Sequence, residues 1–419
     1  MKLLKPTLAF AGLLLGATLS SCGLFGVKVA ELRTDVPEMA VYAAAFNVSQ
    51  ERYRVHVTYD RDLAANLPGL EEKPTLAIGR YLESSRVRGL FQSLDYLFSD
   101  LVIRPNAFYA SLLDQGDVDG RQVLLPVSFN LPLVVFGSDW EPELEDNFVL
   151  ALDELAELAR GYNKTGSKGV TRMGFGPRWY PEFMYEALSL YGADFREGNP
   201  LKWNAAHVDD GLAALRSWSE ESNGSPEAED DFQFKYLYLP PHRSVQDGRI
   251  GFAAMDSASF FVIPEERRSG LGFRWLAKDK TVPIGDDVVF AGILRWSEGK
   301  SAAEAFLKWF FSEDTQKSIL DDARRYRAME SSFGLAGGFS AIASVNERLF
   351  PQFYPSLLGR LPPADYLRSP NALPAYWPKL KDEVLIPLVH RATGANPPED
   401  FHAELETAVA DWLKRSGHL

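Results

Sequence analysis

Segments with a period of two alternate along this chain with segments of helical period, and that alternation limits the fold more than any other feature. Lys28 to Arg33 is a strand, and Tyr53 to Tyr59 (YRVHVTY) alternates and is rich in β-branched and aromatic residues. Thr75 to Ile78, Val123 to Pro126 and Leu133 to Phe136 are short apolar runs of strand length. Helical spacing of apolar residues marks Leu150 to Ala159, Ala205 to Trp218, Ala302 to Phe311 and, near the end, Phe401, Leu405, Val409 and Trp412. Asp35-Val36-Pro37-Glu38 opens a helix, with Asp35 as its cap, Pro37 in its first turn and Glu38 at the capping-box spacing. Strands alternating with helices of this length imply βαβ units and mostly parallel sheets, an α/β fold whose ligands bind at the strand carboxyl ends. The acidic stretch Glu220 to Asp231 reads as a surface loop.

The first 21 residues follow other rules. Lys2 and Lys5 precede an apolar run from Leu8 to Leu15, and small residues follow up to Cys22, the pattern of a secretory signal too short to span a bilayer once mature. Leu19-Ser20-Ser21-Cys22 resembles the lipobox of bacterial lipoproteins, in which the cysteine is acylated and becomes the first mature residue. Cys22 is the only cysteine, so no disulfide partner competes for it. The expectation is a signal peptide over 1–21, a lipid-anchored tether over 22–27 and an extracytoplasmic body held on a bacterial membrane.

A body of roughly 400 residues exceeds one typical core, so two domains are expected. The chain carries −13, and loss of the two leader lysines takes it to −15, a balance that argues against nucleic acid as a partner. The six histidines are scattered without ligand spacing, so no metal site and no cofactor is expected. There is no Gly-x-Ser-x-Gly and no phosphate-binding glycine loop. Asp286, Asp287 and Glu182 are the carboxylates a glycosidase reading would use, but Asp286 and Asp287 are adjacent and point opposite ways on a strand, so the chain is read as a non-enzyme.

Five segments in order carry a resemblance. They are ELRTDVPEMAVYAAAFNVSQERYRVHVTYD, KPTLAIGRYLESSRVRGLFQSLDYLF, Asp119 to Pro126 with VSFNLPLVVFGSDW, Asp247 to Met255 (DGRIGFAAM), and Ser301 to Ser318 (SAAEAFLKWFFSEDTQKS). From Lys28 onward the chain resembles family 1 extracellular solute-binding proteins, the maltose-binding-protein-like receptors of ABC importers. The resemblance implies a monomeric two-lobed clamp of the type II periplasmic-binding-protein fold. Residues 28–128 with 288–330 would form lobe 1, and 129–287 with 331–419 lobe 2. It also implies a small solute, a sugar or oligosaccharide, captured in the cleft and delivered to ABC permease subunits. A sensor lipoprotein without transport and a surface glycan hydrolase are the alternative classes.

Cleft candidates are aromatic and polar residues just past strand ends, since sugars need flat rings and planar hydrogen-bonding groups. Arg80 and Tyr81 follow the strand TLAIG, Asn130 lies at the first hinge, and Arg178, Trp179 and Tyr180 follow Phe175-Gly176-Pro177. The resemblance adds Phe261, near the place of a stacking tryptophan, Asp287 at the second hinge and Trp377 in the closing cleft helix. Arg80 and Arg178 leave an anionic solute open as an alternative to a neutral one.

Overall fold

The computed structural model describes residues 26–99, 102–167, 169–236 and 238–417. The expected signal peptide over 1–21 and Cys22 lie outside the described residues.

Two sheets organise the chain. The first has six strands in the order Phe339–Ser340, Leu125–Phe129, Val289–Ile293, Leu76–Arg80, Lys28–Thr34 and Tyr53–Tyr59. The second has four, in the order Phe252–Asp256, Pro132–Gly137, Leu271–Ala277 and Val149–Ala151. The apolar runs form their centres because such strands are buried on both faces: Leu76, Ala77, Phe290 and Ala291 in the first, and Leu133 to Phe136 in the second, are all 0% exposed. Helices flank both sheets. Lys300–Phe310 and Met39–Ser49 pack on the first, and Phe46 meets Phe306 edge-on at 5.4 Å. Among the described residues no helix is long and apolar enough to cross a membrane.

The α/β layering expected from the alternation is present, but the sheets are mixed rather than mostly parallel. Lys28–Thr34 pairs in parallel with both Tyr53–Tyr59 and Leu76–Arg80, as a βαβ start requires. Val289–Ile293 runs antiparallel to both its neighbours, and so does Pro132–Gly137 to its two. Leu271–Ala277 also pairs in parallel with Val149–Ala151, far from it in sequence, so the direction of each strand follows from how the chain enters the sheet and not from its local pattern.

The chain crosses between the sheets at Asn130–Leu131 and again between Ala277 and Val289. There the two-residue strand Val282–Pro283 pairs with Leu367–Arg368. The expected boundary at 331 is corrected. Phe339–Ser340 completes the first sheet, Ser332 donates to Glu38, and the Ala336 N–H donates to the Tyr42 hydroxyl at 3.1 Å, so this segment still belongs with lobe 1. The next strand outside that sheet, Leu367–Arg368, marks the return.

Two local expectations also fail. Asp35 does not cap the helix Met39–Ser49; its carboxylate accepts the Arg80 N–H at 3.2 Å, a tertiary partner displacing a local one. Glu220 to Asp231 is not a loop. Ser225 caps the helix Pro226–Lys235 by accepting from the Ala228 N–H at 3.1 Å, and Glu229 is 0% exposed with its Oε1 on the Asn223 amide at 2.6 Å.

Candidate functional site

A cavity of about 690 Å³ opens between the two sheets, where strand ends meet the crossings. The first sheet contributes little to it. Leu76–Arg80 ends on Arg80, whose guanidinium lies 3.6 Å from Asp35 Oδ1 and 3.9 Å from Asp287 Oδ2. Gly79 makes room for this arrangement, because a Cβ there would stand 2.7 Å from Asp35 Oδ1. Burial pushes the Asp35 carboxyl up to about 6 despite the Arg80 charge beside it, and burial raises Asp287 as well. Tyr81 turns the chain out of the sheet with φ at 59°, a left-handed conformation costly for a side chain of its size. Such strain is held in place at sites that need it, and the Tyr81 ring lines the cavity.

The second lobe supplies most of the wall. The helix Pro181–Tyr191 presents Glu182, Tyr185, Glu186 and Ser189 along one stripe, the spacing of a single helix face. Tyr180 precedes it, its ring stacked on Phe175 at 5.4 Å. Asp256 ends the strand Phe252–Asp256 across the cavity.

The crossings form the floor. Asn130 accepts from the Ser257 hydroxyl at 2.7 Å and donates to Gly337 O at 3.1 Å, so its amide ties the two lobes at the first crossing. At the second, Asp286 accepts from Trp377 Nε1 at 2.7 Å and from Lys381 Nζ at 3.1 Å. Lys381 also donates to Glu182 Oε2 at 2.9 Å and sits 4.9 Å over the Tyr185 ring. The two carboxylates raise the Lys381 ammonium above its usual range against the pull of burial, so it stays charged. Arg368 Nη2 meets Asp194 Oδ1 at 2.9 Å at the rim.

Five of the nine expected residues, Arg80, Tyr81, Asn130, Tyr180 and Asp287, line this cavity; four do not. Trp179 faces the core, stacked on Phe232 at 5.5 Å with Nε1 donating to Glu229 O. Arg178 is buried beside it, donating to His390 O and to Asp230, and so does not serve the cavity. Phe261 belongs to an aromatic cluster, stacked on Phe333 at 4.9 Å. Trp377 is 0% exposed and lies behind the site, donating to Asp286 and packing its ring 5.9 Å from that of Tyr185. Sequence reasoning missed Tyr185, Glu186, Asp256 and Lys381 as wall residues. A signal existed for the first two: Glu182, Glu186 and Ser189 make a polar stripe on an otherwise apolar helix. Among the described residues no group of three or more potential metal ligands occurs.

Tyrosine rings, fixed carboxylates and charged donors converge on this cavity between the two sheets. Solved structures share the fold. The cyclic alpha-maltosyl-1,6-maltose binding protein of Arthrobacter globiformis superposes with a TM-score of 0.62 at 16% identity, over 93% of this chain and 100% of that one. An ABC substrate-binding protein of Listeria monocytogenes in complex with cycloalternan gives 0.60 at 14% identity, over 94% and 100%. A sugar transporter of Rhizobium etli in an open conformation gives 0.64 at 14% identity, over 91% and 99%. The fold is that of the two-lobed ABC solute-binding proteins. No protein-family model and no curated protein matches the chain. At these identities the solute-binding-protein fold is shared, while the side chains of the cleft are this protein's own.

Proposed function

We propose that this protein is an extracytoplasmic solute-binding receptor of an ABC importer, anchored by an acylated Cys22, which captures a saccharide between its lobes and hands it to permease subunits. The observation that carries this reading is the cavity between two sheets, lined from both and floored by the crossings. A floor made of hinge strands lets one lobe rotate on the other, so closure desolvates a ligand without a separate lid. A monomer suffices, since both walls belong to one chain.

The carboxylates favour a receptor over a hydrolase. Glu182 and Asp286 share one ammonium at 2.9 and 3.1 Å, which ties down the acid and nucleophile a glycosidase would need free. A thermal-shift screen of the purified protein against mono- and oligosaccharides, sugar phosphates, amino acids and short peptides tests the reading. A saccharide at roughly a hundred times its Kd adds about 2.7 kcal/mol to the folded state and raises the melting temperature. Stabilisation by peptides or amino acids alone would remove the saccharide assignment, and chromogenic glycoside turnover would replace receptor by enzyme.

A further inference from the structure

The cavity wall carries more negative charge than its cations can balance. Glu182, Glu186, Asp194, Asp256, Asp286 and Asp287 line it against Arg80, Arg368 and Lys381. Each cation is already engaged. Arg80 lies between Asp35 and Asp287, Arg368 is on Asp194, and Lys381 is shared by Glu182 and Asp286. Two carboxylates remain. Among the described residues neither Glu186 nor Asp256 forms an ion pair. The Glu186 side chain makes no hydrogen bond, and Asp256 accepts only from the Ser259 N–H at the start of its own short helix.

These two groups face each other's field. Burial, then the charges of Glu182 and Asp256, hold the Glu186 carboxyl well above the usual range in the empty protein, and the Lys381 ammonium, already shared by two other carboxylates, acts only weakly the other way. A desolvated carboxylate amid like charges is costly unless a cation joins it. Arg178, the other cation that would have favoured an anionic solute, is absent from the cavity.

Granting the saccharide-receptor reading, we infer that the solute is cationic, an amino sugar or amine-bearing oligosaccharide whose ammonium is received by Glu186 and Asp256. Its hydroxyls then meet Asp287, Tyr185 and the Arg80 guanidinium, and its ring faces Tyr180 or Tyr81. A neutral sugar supplies no cation to either carboxyl group, and a uronate or sugar phosphate adds a like charge to an acidic wall.

The test is a calorimetric panel on the intact protein. Mono- and disaccharides of the gluco, galacto and manno series are compared as sets carrying hydroxyl, acetamido or free amine at C2. We expect the best-bound set to prefer its amine by at least tenfold. Glu186→Gln should abolish that preference, and the melting temperature of the unliganded variant, unchanged from that of the parent, shows that the fold is intact. If a hydroxyl or acetamido form binds as tightly as its amine, the cationic assignment falls and the receptor reading stands. If nothing in the panel binds, both fall.

Discussion

Glu83 offers a pH experiment whose size follows from its surroundings. It lies three residues past Arg80, is 7% exposed, and its Oε2 has no hydrogen-bond partner. Burial, with smaller contributions from Glu197 and Asp286, pushes its carboxyl from 4.5 up to about 8. The folded-state value exceeds the unfolded one, so the folded protein holds this proton more tightly. The resulting stability is full below about pH 4.5 and is lost as pH rises through about 8. At about 1.4 kcal/mol per pH unit the interval sets a ceiling of about 5 kcal/mol; relaxation of the site lowers it, and we expect roughly 2 kcal/mol. Glu83→Gln replaces the protonated acid with a neutral group of the same shape. Scanning calorimetry of both proteins from pH 5 to pH 9 should show similar melting temperatures at the acid end and an advantage for the variant that grows with pH from there and levels off above about pH 8. A difference between the two that stays constant across the range would refute the reasoning.

Trp179→Ala should lower stability by about 3–5 kcal/mol through the cavity left beside Phe232, with solute affinity within twofold once folded, as paired calorimetry and titration would show. Lys381→Met strands Asp286 without its ammonium and should cost about 3–5 kcal/mol; adding Asp286→Asn should recover most of that in a double-mutant cycle. Tyr185→Ala should weaken solute binding by more than tenfold, about 1.4 kcal/mol, in the same titration that leaves Trp179→Ala unaffected. The lobes also touch through Lys379 Nζ on Asp62 at 3.1 Å and the Ser85 N–H on Glu197 Oε2 at 2.8 Å. These exposed contacts are worth about 1 kcal/mol each at most, so Asp62→Ala with Glu197→Ala should enlarge the unliganded protein in solution scattering and weaken binding severalfold.

The elements were legible in the sequence because apolar periodicity is local. Tyr53–Tyr59 has the expected bounds, and the run around Leu133 to Phe136 is a fully buried strand. Strand direction was not legible, because a period of two is the same whichever way the chain enters a sheet. Asp35 shows the same limit at one residue: a local cap was foreseen, but the neighbouring strand end took the carboxylate. In the site, position after a strand end found Arg80 and Tyr81, since the end of a strand fixes where the next residues go. It failed in the turn at Pro177–Trp179, where Trp179 points to the core and Tyr180 to the cavity. Adjacent loop residues carry no period from which to tell such a pair apart. Lys381 was invisible for another reason: its role depends on Asp286 and Glu182, far away in sequence.

The uneven lining of the cavity sets an order of events. Nearly every wall residue comes from the second lobe or the crossings, while the first sheet sends only Arg80 and Tyr81. In the receptor proposed above, a solute would meet an almost finished half-site on one lobe before the other closed. Encounter and recognition would then belong to the lobe with the helix Pro181–Tyr191, and the arrival of two residues on the opposite side would signal that the site is full. Substitutions on that helix should then change how fast and how tightly the solute lands. Substitutions at Arg80 and Tyr81 should change chiefly how long it stays.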